Sequence, residues 1–332
     1  MRDGHAKAIV CLGGNLAIAS SDPQACAEGF RNLDLAVHIT TKLNRTMLLM
    51  AKDTYILPCL GRTELDTQAG GPQSVTVEDS MSMVHASRGF LMPPGDNVTS
   101  EIWIVGKIAA ATLGGKGGID WDGYIADYSL IRDKIEAVFP AFADYNARIR
   151  KPGGFHLPNS AAMREWKTDS GKANFIVAKG VEEDESAGDP TVLRLTTLRA
   201  HDQYNTTVYS LDDRYRGVFG RRDILFMNER DMARLGHKEG DVVDIATALQ
   251  FARPDRVVQK LMLVRYALPD GCVASYYPET QPLIALEDHD PQSFTPSYKS
   301  IPVTVRPAAA DMGSDRGVVR AGIVGHESKV HA

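Results

Sequence analysis

The chain has 332 residues, of which 43% are hydrophobic and 24% are charged, a balance typical of a globular protein with room for about two domains. Its net charge of −5 and its pI near 6.0 provide no basic field for nucleic acid. No apolar run reaches the length of a membrane span, and the amino terminus lacks a signal-peptide pattern, so the sequence predicts a cytoplasmic protein that binds neither membranes nor nucleic acid.

The four cysteines, Cys11, Cys26, Cys59 and Cys272, stand far apart and form no CxxC pair. Iron–sulfur clusters and structural zinc sites use closely spaced cysteines. In a cytoplasmic chain, such isolated cysteines are predicted to be free thiols. We therefore expect no metal ligands and no iron–sulfur cluster in this chain.

The first elements have the pattern of an α/β protein. Residues 8–12 form a short apolar run that ends in a glycine pair, which predicts a buried parallel strand followed by a tight turn. A helix is expected over residues 23–32, because Pro23 follows residues that can cap it, and a second strand is expected over residues 33–39. This β-turn-α-β order is the unit of a doubly wound sheet.

Two polar stretches follow the first two strands, at the sheet end that faces the ligand crevice in open α/β proteins. Gly14 and Asn15 could let the backbone approach a nucleotide, or they could form a plain glycine turn. The same choice, nucleotide contacts or solvated residues at a helix start, is open for Thr41, Lys42, Asn44 and Arg45.

The middle of the chain has weaker signals. Apolar residues at helical spacing predict a helix over residues 101–113, and residues 120–143 continue helically with an interruption at Pro140. Residues 172–177 are expected to form a strand. The acidic stretch 180–190 is expected to be a solvated linker and a domain boundary.

Short strands separated by turns occupy residues 191–307, with a small helix capped by Asn228, and they predict a compact β-barrel. The remaining residues, 308–332, have no periodic pattern and are expected to be mobile. The first barrel strand runs into a dense polar loop, which could fix a polar ligand or be an ordinary surface loop. This loop contains Arg199, His201, Asp202, Gln203, Tyr204, Asn205, Thr206 and Thr207.

Seven stretches of the chain carry a family resemblance. They are LGGNLAIASSD at 12–22, TTKLNRT at 40–46, ILPCLGRTELD at 56–66, QSVTVEDSMSMVHASRG at 73–89, LRAHDQYNTTVYSLDDRYRG at 198–217, FMNERDM with the following GHKEGD, and SYYPE at 275–279. Together they resemble the C-terminal half of a molybdopterin oxidoreductase of the dimethyl-sulfoxide-reductase superfamily, with the formate-dehydrogenase-alpha-like proteins as the nearest branch.

The resemblance implies the C-terminal part of a doubly wound α/β domain followed by a double-psi β-barrel. It divides the chain into a partial guanosine-binding α/β domain at 1–115, a helical and loop connection with the acidic linker at 116–189, a molybdopterin dinucleotide-binding barrel at 190–307, and a tail at 308–332. The implied cofactor is bis-molybdopterin guanine dinucleotide with molybdenum or tungsten, which carries the redox chemistry itself.

The family's cofactor contacts transfer to matching positions of this sequence. The guanosine end would be met by Gly14, Asn15, Thr41, Asn44 and Arg45. The pterin side would be lined by Arg199, His201, Tyr204, Asn205, Thr206 and Thr207. Lys299 matches a late lysine whose ammonium would meet a phosphate or pterin oxygen. No catalytic residue and no metal ligand is assigned.

Two departures from the family pattern qualify this function. Gln281 stands where relatives usually have an asparagine, so a contact there is expected to be weaker. The chain also lacks the region that carries the cluster cysteines, the metal-ligating side chain and the other guanosine domain. It therefore resembles a C-terminal portion that needs the missing N-terminal portion, or an equivalent chain, as its partner, while the electron-transfer partner stays open.

Three functions remain open at this point. The chain could be part of a molybdenum-dependent oxidoreductase, with formate as one candidate substrate. It could be a non-catalytic remnant or interaction protein that retains the fold. A barrel that binds another nucleotide is a third alternative.

Several side chains also have two readings. His201 could exchange a proton, bond a pterin, or bond its own loop. Glu64 and Asp66 could accept from guanine or be solvated, and His85 and His156 are expected to be structural. A basic cluster could meet cofactor phosphates or pair with Asp212, Asp213 and Asp223; its members are Arg214, Arg216, Arg221 and Arg222.

Overall fold

The structure is a computed structural model that describes residues 1–177, 180, 182, 188–204, 206, 210–248 and 256–308. Its strands are β1 (Ala8–Leu12), β2 (Leu35–Thr40), β3 (Asp53–Pro58), β4 (Thr67–Gln68), β5 (Gly71–Pro72), β6 (Val75–Glu78), β7 (Met83–Ser87), β8 (Phe155–His156), β9 (Leu193–Leu198), β10 (Ile224–Met227), β11 (Val242–Thr247), β12 (Val257–Arg265), β13 (Cys272–Tyr276) and β14 (Ile301–Pro307). Its α-helices are α1 (Leu16–Ala19), α2 (Pro23–Arg31), α3 (Glu101–Leu113), α4 (Trp121–Ala126), α5 (Ser129–Val138), α6 (Tyr145–Arg148), α7 (Glu229–Arg234) and α8 (Tyr277–Thr280). Short 3-10 helices cover Arg45–Leu48, Lys116–Gly118, Pro140–Phe142 and Gln281–Leu283.

The first sheet is parallel, in the order β1-β2-β3, with helices on both faces. Successive β2 residues point to opposite faces, so Ala36 packs under Phe30 of α2 while Ile39 packs under Ile104 of α3. This confirms the doubly wound arrangement. The strand at 8–12 is also confirmed, but it is not buried as expected. In the described part of the chain β1 pairs with β2 alone, and only its face toward α2 is covered, so Val10 and Leu12 on the other face are exposed.

The helix predicted over 101–113 is α3, and Ser100 caps it by accepting a hydrogen bond from Trp103 N. The helix expected over 120–143 is divided into α4 and α5, because the backbone at Asp127 is extended between them. The strand expected over 172–177 is wrong. Its residues lie outside any described strand, and their apolar side chains are largely exposed.

A second, antiparallel sheet, β6-β7-β8, packs against α5 and α6. Its core contains Val84, Tyr145, Ile149 and Phe155, and the Arg148 guanidinium lies 3.6 Å from the centre of the Phe155 ring. Strands from both sides of residue 115 therefore share one small core.

The second half of the chain is a closed six-stranded barrel, in the order β10-β12-β11-β14-β9-β13. Two of its pairs, β10 with β12 and β9 with β13, are parallel, and the others are antiparallel. Leu193 and Leu195 of β9 and Leu225 of β10 are fully buried in the interior. Asn228 caps α7 as expected, because its side chain accepts from Asp231 N at 2.8 Å. The predicted double-psi β-barrel is thus confirmed.

The barrel contacts the α/β half at the elbow between α1 and α2. Asp22 Oδ2 lies 2.6 Å from Arg256 Nη2, and Tyr277 Oη donates to Ala19 O at 2.5 Å. Gln281, expected to make a weaker contact than an asparagine, is fully buried, and its Nε2 donates to Ile18 O at 2.8 Å. The elbow therefore joins the two halves through buried polar contacts.

Within the described ranges, no helix combines the length and the hydropathy needed to cross a membrane. Most of the predicted acidic linker and residues 309–332 of the predicted mobile tail lie outside the described residues. The domain boundaries inferred from the sequence stay a prediction.

Candidate functional site

The carboxyl ends of β1 and β2 bring two predicted ligand loops together. Asn44 Nδ2 donates to Gly14 O at 3.1 Å, while Asn44 Oδ1 accepts from Thr46 N at 2.9 Å. Thr46 is fully buried; its Oγ1 donates to Asn15 Oδ1 and accepts from Ala17 N, both at 3.1 Å. These bonds already order Gly14, Asn15 and Asn44 as one surface, so less conformational entropy would be lost when a ligand binds there.

The loop after β3 reaches the same edge of the sheet. A Cβ atom on Gly61 would lie 2.8 Å from Glu64 Oε2, so the glycine leaves room for the Glu64 carboxylate of its own loop, and it would lie 3.6 Å, an ordinary contact, from Thr41 Cγ2 of the neighbouring loop. Thr41 and Arg45 are exposed there. All five residues predicted for the guanosine end thus follow β1 or β2 at the carboxyl edge of the sheet.

Glu64 and Asp66 accept hydrogen bonds from different groups of this chain. Glu64 accepts from Gly61 N at 2.6 Å and from Thr63 Oγ1 at 2.9 Å. Asp66 accepts from the buried Tyr128 hydroxyl at 2.5 Å and from Gln68 at 2.6 Å. Burial, and then the hydrogen bond to Asp66, raise the pKa of Tyr128 above its usual range. The structure favours an internal role for Asp66 over the reading as a solvated pair.

At the barrel, the predicted polar loop starts where two parallel strands end side by side. Leu198 of β9 is in register with Tyr276 of β13. Arg199, His201 and Tyr204 are exposed just beyond this end, and Tyr204 N donates to Thr206 O. Two further predicted pterin-side residues lie outside the described residues, namely Asn205 and Thr207.

A buried arginine ties this loop to the residues after β13. Arg222 donates through Nε to Glu279 Oε1 at 2.7 Å and through Nη2 to Glu279 Oε2 at 3.1 Å and to Gln203 Oε1 at 2.7 Å. Its guanidinium lies 4.5 Å from the centre of the Tyr276 ring. Gln203 Oε1 also accepts from Ala200 N at 3.0 Å. Arg222 therefore orders both ends of the surface above β9 and β13.

A second buried group, Asp213, holds the other side of the loop. Its Oδ2 accepts from Arg216 Nη1 at 2.6 Å and from Tyr276 Oη at 3.0 Å. His201 Nδ1 lies 3.6 Å from Asp213 Oδ1, and the His201 ring stacks on Tyr215. Burial, and then the charge of Asp213, raise the pKa of Tyr276 above its usual range.

The basic cluster is largely ion-paired. Arg216 pairs with Asp213 and Arg221 pairs with Asp223, as one reading of the sequence expected. Two further pairs were not expected, namely Arg214 with Asp202 and Arg222 with Glu279.

Lys299 lies beside the end of β9, from which the loop starts. Its ammonium donates to Thr197 O. Burial lowers the pKa of Lys299, and the positive charge of Arg199 lowers it further.

Helix α1 connects the two predicted contact surfaces. It begins directly after Asn15, and its last carbonyl, Ala19 O, accepts from Tyr277 Oη and, at 3.3 Å, from Tyr298 Oη. Tyr298 is the residue before Lys299. The guanosine-end and pterin-side predictions are therefore linked through one short helix.

Three buried side-chain atoms beside the polar loop have no hydrogen-bond partner in the described part of the chain: Gln203 Nε2, Arg222 Nη1 and Asp213 Oδ1. Native proteins leave few such atoms. Gln203 and Arg222 bond each other, and Asp213 bonds Arg216 and Tyr276. They leave donors and an acceptor for a ligand or ordered water next to the pterin-side residues.

The four cysteines are free thiols, as predicted. Among the residues that the structure describes, His, Cys, Asp and Glu form no group of three or more placed to hold a metal ion.

Sequence reasoning missed the pairing of Arg222 with Glu279 and the role of Asp213. Asp213 and Glu279 lie in recognisable stretches, DDRYRG and YYPE, and Arg222 lies in neither. The contacts of all three residues span long separations along the chain. A periodic pattern reports neighbours within an element. It carries no signal for partners such as Arg222 and Glu279, which the barrel topology alone brings together.

Comparison with known proteins identifies the barrel. Residues 193–302 match the family model described as the molydopterin dinucleotide binding domain. Protein YdeP of Escherichia coli is 51% identical over 306 residues, and a protein of Mycobacterium tuberculosis named as an uncharacterized oxidoreductase is 44% identical over 315 residues. The matches cover 92% and 93% of this chain but 40% of each relative, so the chain spans about two fifths of their length.

Among solved structures, acetylene hydratase from Pelobacter acetylenicus is similar with a TM-score of 0.52 at 14% sequence identity. The likeness covers 91% of this chain and 44% of that protein. At this identity it supports the fold: an α/β unit joined to a six-stranded barrel.

Proposed function

We propose that this chain, whose barrel matches the molydopterin dinucleotide binding domain, belongs to the molybdopterin oxidoreductases of the dimethyl-sulfoxide-reductase superfamily and is the C-terminal, cofactor-holding part of a molybdenum- or tungsten-dependent oxidoreductase. Its barrel is a molybdopterin dinucleotide-binding domain. The proposed ligand is bis-molybdopterin guanine dinucleotide.

One observation carries the proposal. Two polar surfaces, each at the carboxyl end of parallel strands, are joined by α1, one in the α/β half and one on the matched barrel. A dinucleotide has a base at one end and a pterin at the other, with phosphates between them. An extended surface with two separate polar ends suits such a molecule.

The residues present fit the group chemically. Asn15 and Asn44 provide amide groups, and Gly14 provides an exposed backbone, for a purine edge. Arg199 and Lys299 provide positive charge for a phosphate or pterin oxygen. When bound, the metal of such a cofactor exchanges electrons with a substrate, while the chain binds and orients the cofactor.

The substrate is a finer proposal. The sequence resembles the formate-dehydrogenase-alpha-like branch, and we propose formate as the first substrate to test. Activity with another small substrate and none with formate would contradict the assignment to the formate-dehydrogenase-alpha-like branch, and the cofactor proposal would still stand.

The partner we propose is a polypeptide equivalent to the N-terminal portion of the relatives. Its support is the described sheet, in which Val10 and Leu12 of β1 are 49% and 50% exposed. Parallel sheets are normally covered on both faces. A covering segment would shield these side chains from water.

The same exposure supports the second candidate function, a non-catalytic protein that retains the fold and acts through an interaction surface. The two candidates differ in one respect. A cofactor-holding part contains pterin when purified with its partner, whereas an interaction protein does not.

The experiment compares this chain with the chain joined to the coding sequence that precedes it in its genome. Both are purified from cells that make the molybdenum cofactor, and metal and pterin are then measured. Pterin and metal in the joined protein support the cofactor-holding function, and pterin in the short chain shows that these two halves suffice. Absence from both removes the function and leaves the fold.

A test variant of the joined protein replaces both Lys299 and Arg199 with methionine (K299M/R199M). Methionine keeps the apolar stems and removes the charges, so we expect about a tenfold loss of pterin. The matched control is a single arginine outside the two polar surfaces. Arg230→Met, on the exposed surface of α7, is expected to retain the wild-type amount.

A further inference from the structure

Asp213 is a fully buried carboxylate whose two oxygens differ in their partners among the described residues. Oδ2 accepts from Arg216 Nη1 and Tyr276 Oη, whereas Oδ1 accepts no hydrogen bond from any described residue. A buried acceptor without a donor destabilises the fold by about 1 to 3 kcal/mol. A hydrogen-bond donor that reaches Oδ1 would therefore stabilise this loop.

A described group with a ring nitrogen beside Oδ1 is His201. Its Nδ1 lies 3.6 Å from Asp213 Oδ1, a few tenths of an ångström beyond a hydrogen bond. The ring is fixed in this orientation by stacking on Tyr215, with ring centres 3.4 Å apart and planes inclined by 25°. A neutral imidazole has one N–H, so a hydrogen on Nδ1 leaves Nε2 as an acceptor.

Both partners are held in place by the backbone around them. Asp213 and Val218 exchange two backbone hydrogen bonds, of 2.7 and 3.1 Å, and Arg216 N donates to Asp213 O. On the other side, the residue before His201 is Ala200, whose N–H is bound to Gln203 Oε1. The carboxylate and the imidazole are thus presented to each other by two ordered segments.

The two oxygens of Asp213 meet different described groups. Arg216 Nη1 lies 2.6 Å from Oδ2, whereas His201 Nδ1 lies on the Oδ1 side, with Tyr215 stacked on its ring. The carboxylate therefore stays paired with Arg216 while its second oxygen is directed toward the imidazole.

We propose that Asp213 is a positioning residue that keeps His201 in the tautomer with hydrogen on Nδ1. The unprotonated Nε2, across the ring from Asp213, is then the acceptor for an N–H group of the bound pterin. The tautomer follows from this loop alone, whereas the pterin contact rests on the proposed function.

The first test reads the tautomer directly. The chain is labelled with 15N-histidine, and the signals of His201 among the nine histidines are assigned by their loss in His201→Gln. We expect the protonated nitrogen of His201 to be Nδ1 in the wild type. A hydrogen on Nε2 in the folded wild-type chain overturns the proposal, and this measurement needs no variant of Asp213.

Asp213→Asn tests whether the tautomer of His201 can be reversed. The amide oxygen is expected to take the place of Oδ2 beside Arg216 and Tyr276, which directs the amide N–H toward His201. The tautomer should then switch to hydrogen on Nε2. Asp212→Asn is the matched control, because it removes the same charge from a carboxylate that accepts from Gly220 N. It should leave the tautomer unchanged, and a switch in both variants would contradict the assignment to Asp213.

The second test uses the joined protein and measures retained pterin by the fluorescence of its acid-released, oxidised form. We expect Asp213→Asn to lower retention about fivefold to tenfold, the effect of one lost hydrogen bond. His201→Gln should retain pterin, since its carbonyl oxygen can take the place of Nε2, whereas His201→Ala should not.

The double variant H201Q/D213N separates positioning from folding. If Asp213 acts through the imidazole, it should match H201Q alone. An equal further loss on adding D213N would mean that Asp213 only supports the loop, which overturns the proposal. If the wild-type joined protein contains no pterin, the proposed function and the pterin contact both fail, and the tautomer result is judged on its own.

Discussion

At the scale of single residues, two adjacent arginines after the polar loop have different surroundings. Arg222 is buried and bonds Glu279 and Gln203, whereas Arg221, whose side chain is 17% exposed, pairs with the more exposed Asp223. A carboxylate kept from water destabilises strongly when its partner is removed, and a carboxylate open to water contributes little. The same substitution at neighbouring positions therefore compares carboxylates of different exposure, 26% for Glu279 and 55% for Asp223.

We expect Arg222→Met to lower the free energy of unfolding by about 3 kcal/mol, because it leaves the Glu279 carboxylate without its partner. Arg221→Met should lower it by less than about 1 kcal/mol. Urea unfolding of both variants checks this. R222M/E279Q should recover part of the loss, and equal effects at the two arginines would show that Arg222 is not an internal link.

Cys59 makes a prediction about pH. Burial, followed by the charges of Glu101 and Glu64, raises the pKa of this thiol from 9.0 to about 11. The protonated thiol is then favoured in the folded state, so its contribution to stability is present below pH 9 and is lost as pH rises toward 11.

The free energy of unfolding of the wild type should therefore fall with pH more steeply than that of Cys59→Ala, by up to about 2 kcal/mol between pH 9 and 11. Urea unfolding at several pH values gives both slopes, and a cavity in the variant shifts its curve without changing its slope. Parallel curves would rule out the shifted thiol.

How far the sequence could predict the site is clearest at this residue scale. Gly14, Asn15 and Asn44 were identified because glycine and amide residues follow predicted strands, and local patterns report strand ends. Asp213 was named in the sequence only as a possible ion-pair partner. Its contacts with Tyr276 and His201 depend on how strands of the barrel are ordered, which no local spacing contains.

At the scale of elements, the N-terminus of α2 connects the α/β half to the barrel. Asp22 has a left-handed backbone, with φ of 50°, and its side chain accepts from Ala25 N while it pairs with Arg256. Asparagine tolerates this backbone and can still cap the helix. Asp22→Asn therefore removes the ion pair and keeps the cap.

We expect Asp22→Asn to lower the free energy of unfolding by about 2 kcal/mol at neutral pH. Burial alone would raise the pKa of Asp22, but the bonds from Arg256, Ala25 and Leu286 outweigh it, so the pKa lies below its usual range. This stability is present above pH 3.8 and is lost as pH falls through the pKa of the folded state, so the difference between variant and wild type should shrink in acid.

The control is Asp120→Asn, which changes the capping aspartate of α4 on the exposed surface. Unfolding curves at pH 7 and in mild acid should show little effect of this substitution at either pH. A constant difference between D22N and wild type at both values would mean that the Asp22–Arg256 pair does not carry the effect.

Elements were predicted well where sequence and packing agree. Helix α3 begins at the capping Ser100 and ends at Gly114, and the sequence carried both signals. Residues 172–177 failed because an apolar run specifies only a tendency to be extended. A strand also needs a neighbouring strand for its backbone hydrogen bonds, and the described part of the chain does not place one beside it.

At the scale of the whole molecule, the uneven cover of the first sheet has a measurable consequence. Val10 and Leu12 of β1 are about half exposed, whereas Ile9 packs into the cluster under α2. Exposed apolar side chains on an edge strand promote association between copies. A chain purified alone should therefore self-associate through this edge as its concentration rises.

Val10→Lys with Leu12→Lys should reduce this self-association, because two positive charges on the strand repel a second copy. The free energy of unfolding of the chain alone should change by less than about 1 kcal/mol, since both side chains already contact water. Sedimentation and urea unfolding measure the two quantities. Ile9→Lys, which buries a charge under α2, should destabilise by more than about 2 kcal/mol and serves as the control.

The joined protein makes the opposite prediction for the same pair of lysines. If a further segment covers β1, as proposed, V10K/L12K places two charges in an interface and should lower both stability and pterin content. The substitution should then change stability little in the short chain and lower it strongly in the joined protein. A defect confined to this chain would affect both proteins alike. Equal, small effects in both proteins would mean that β1 stays open to water, and the proposed partner would have to bind elsewhere.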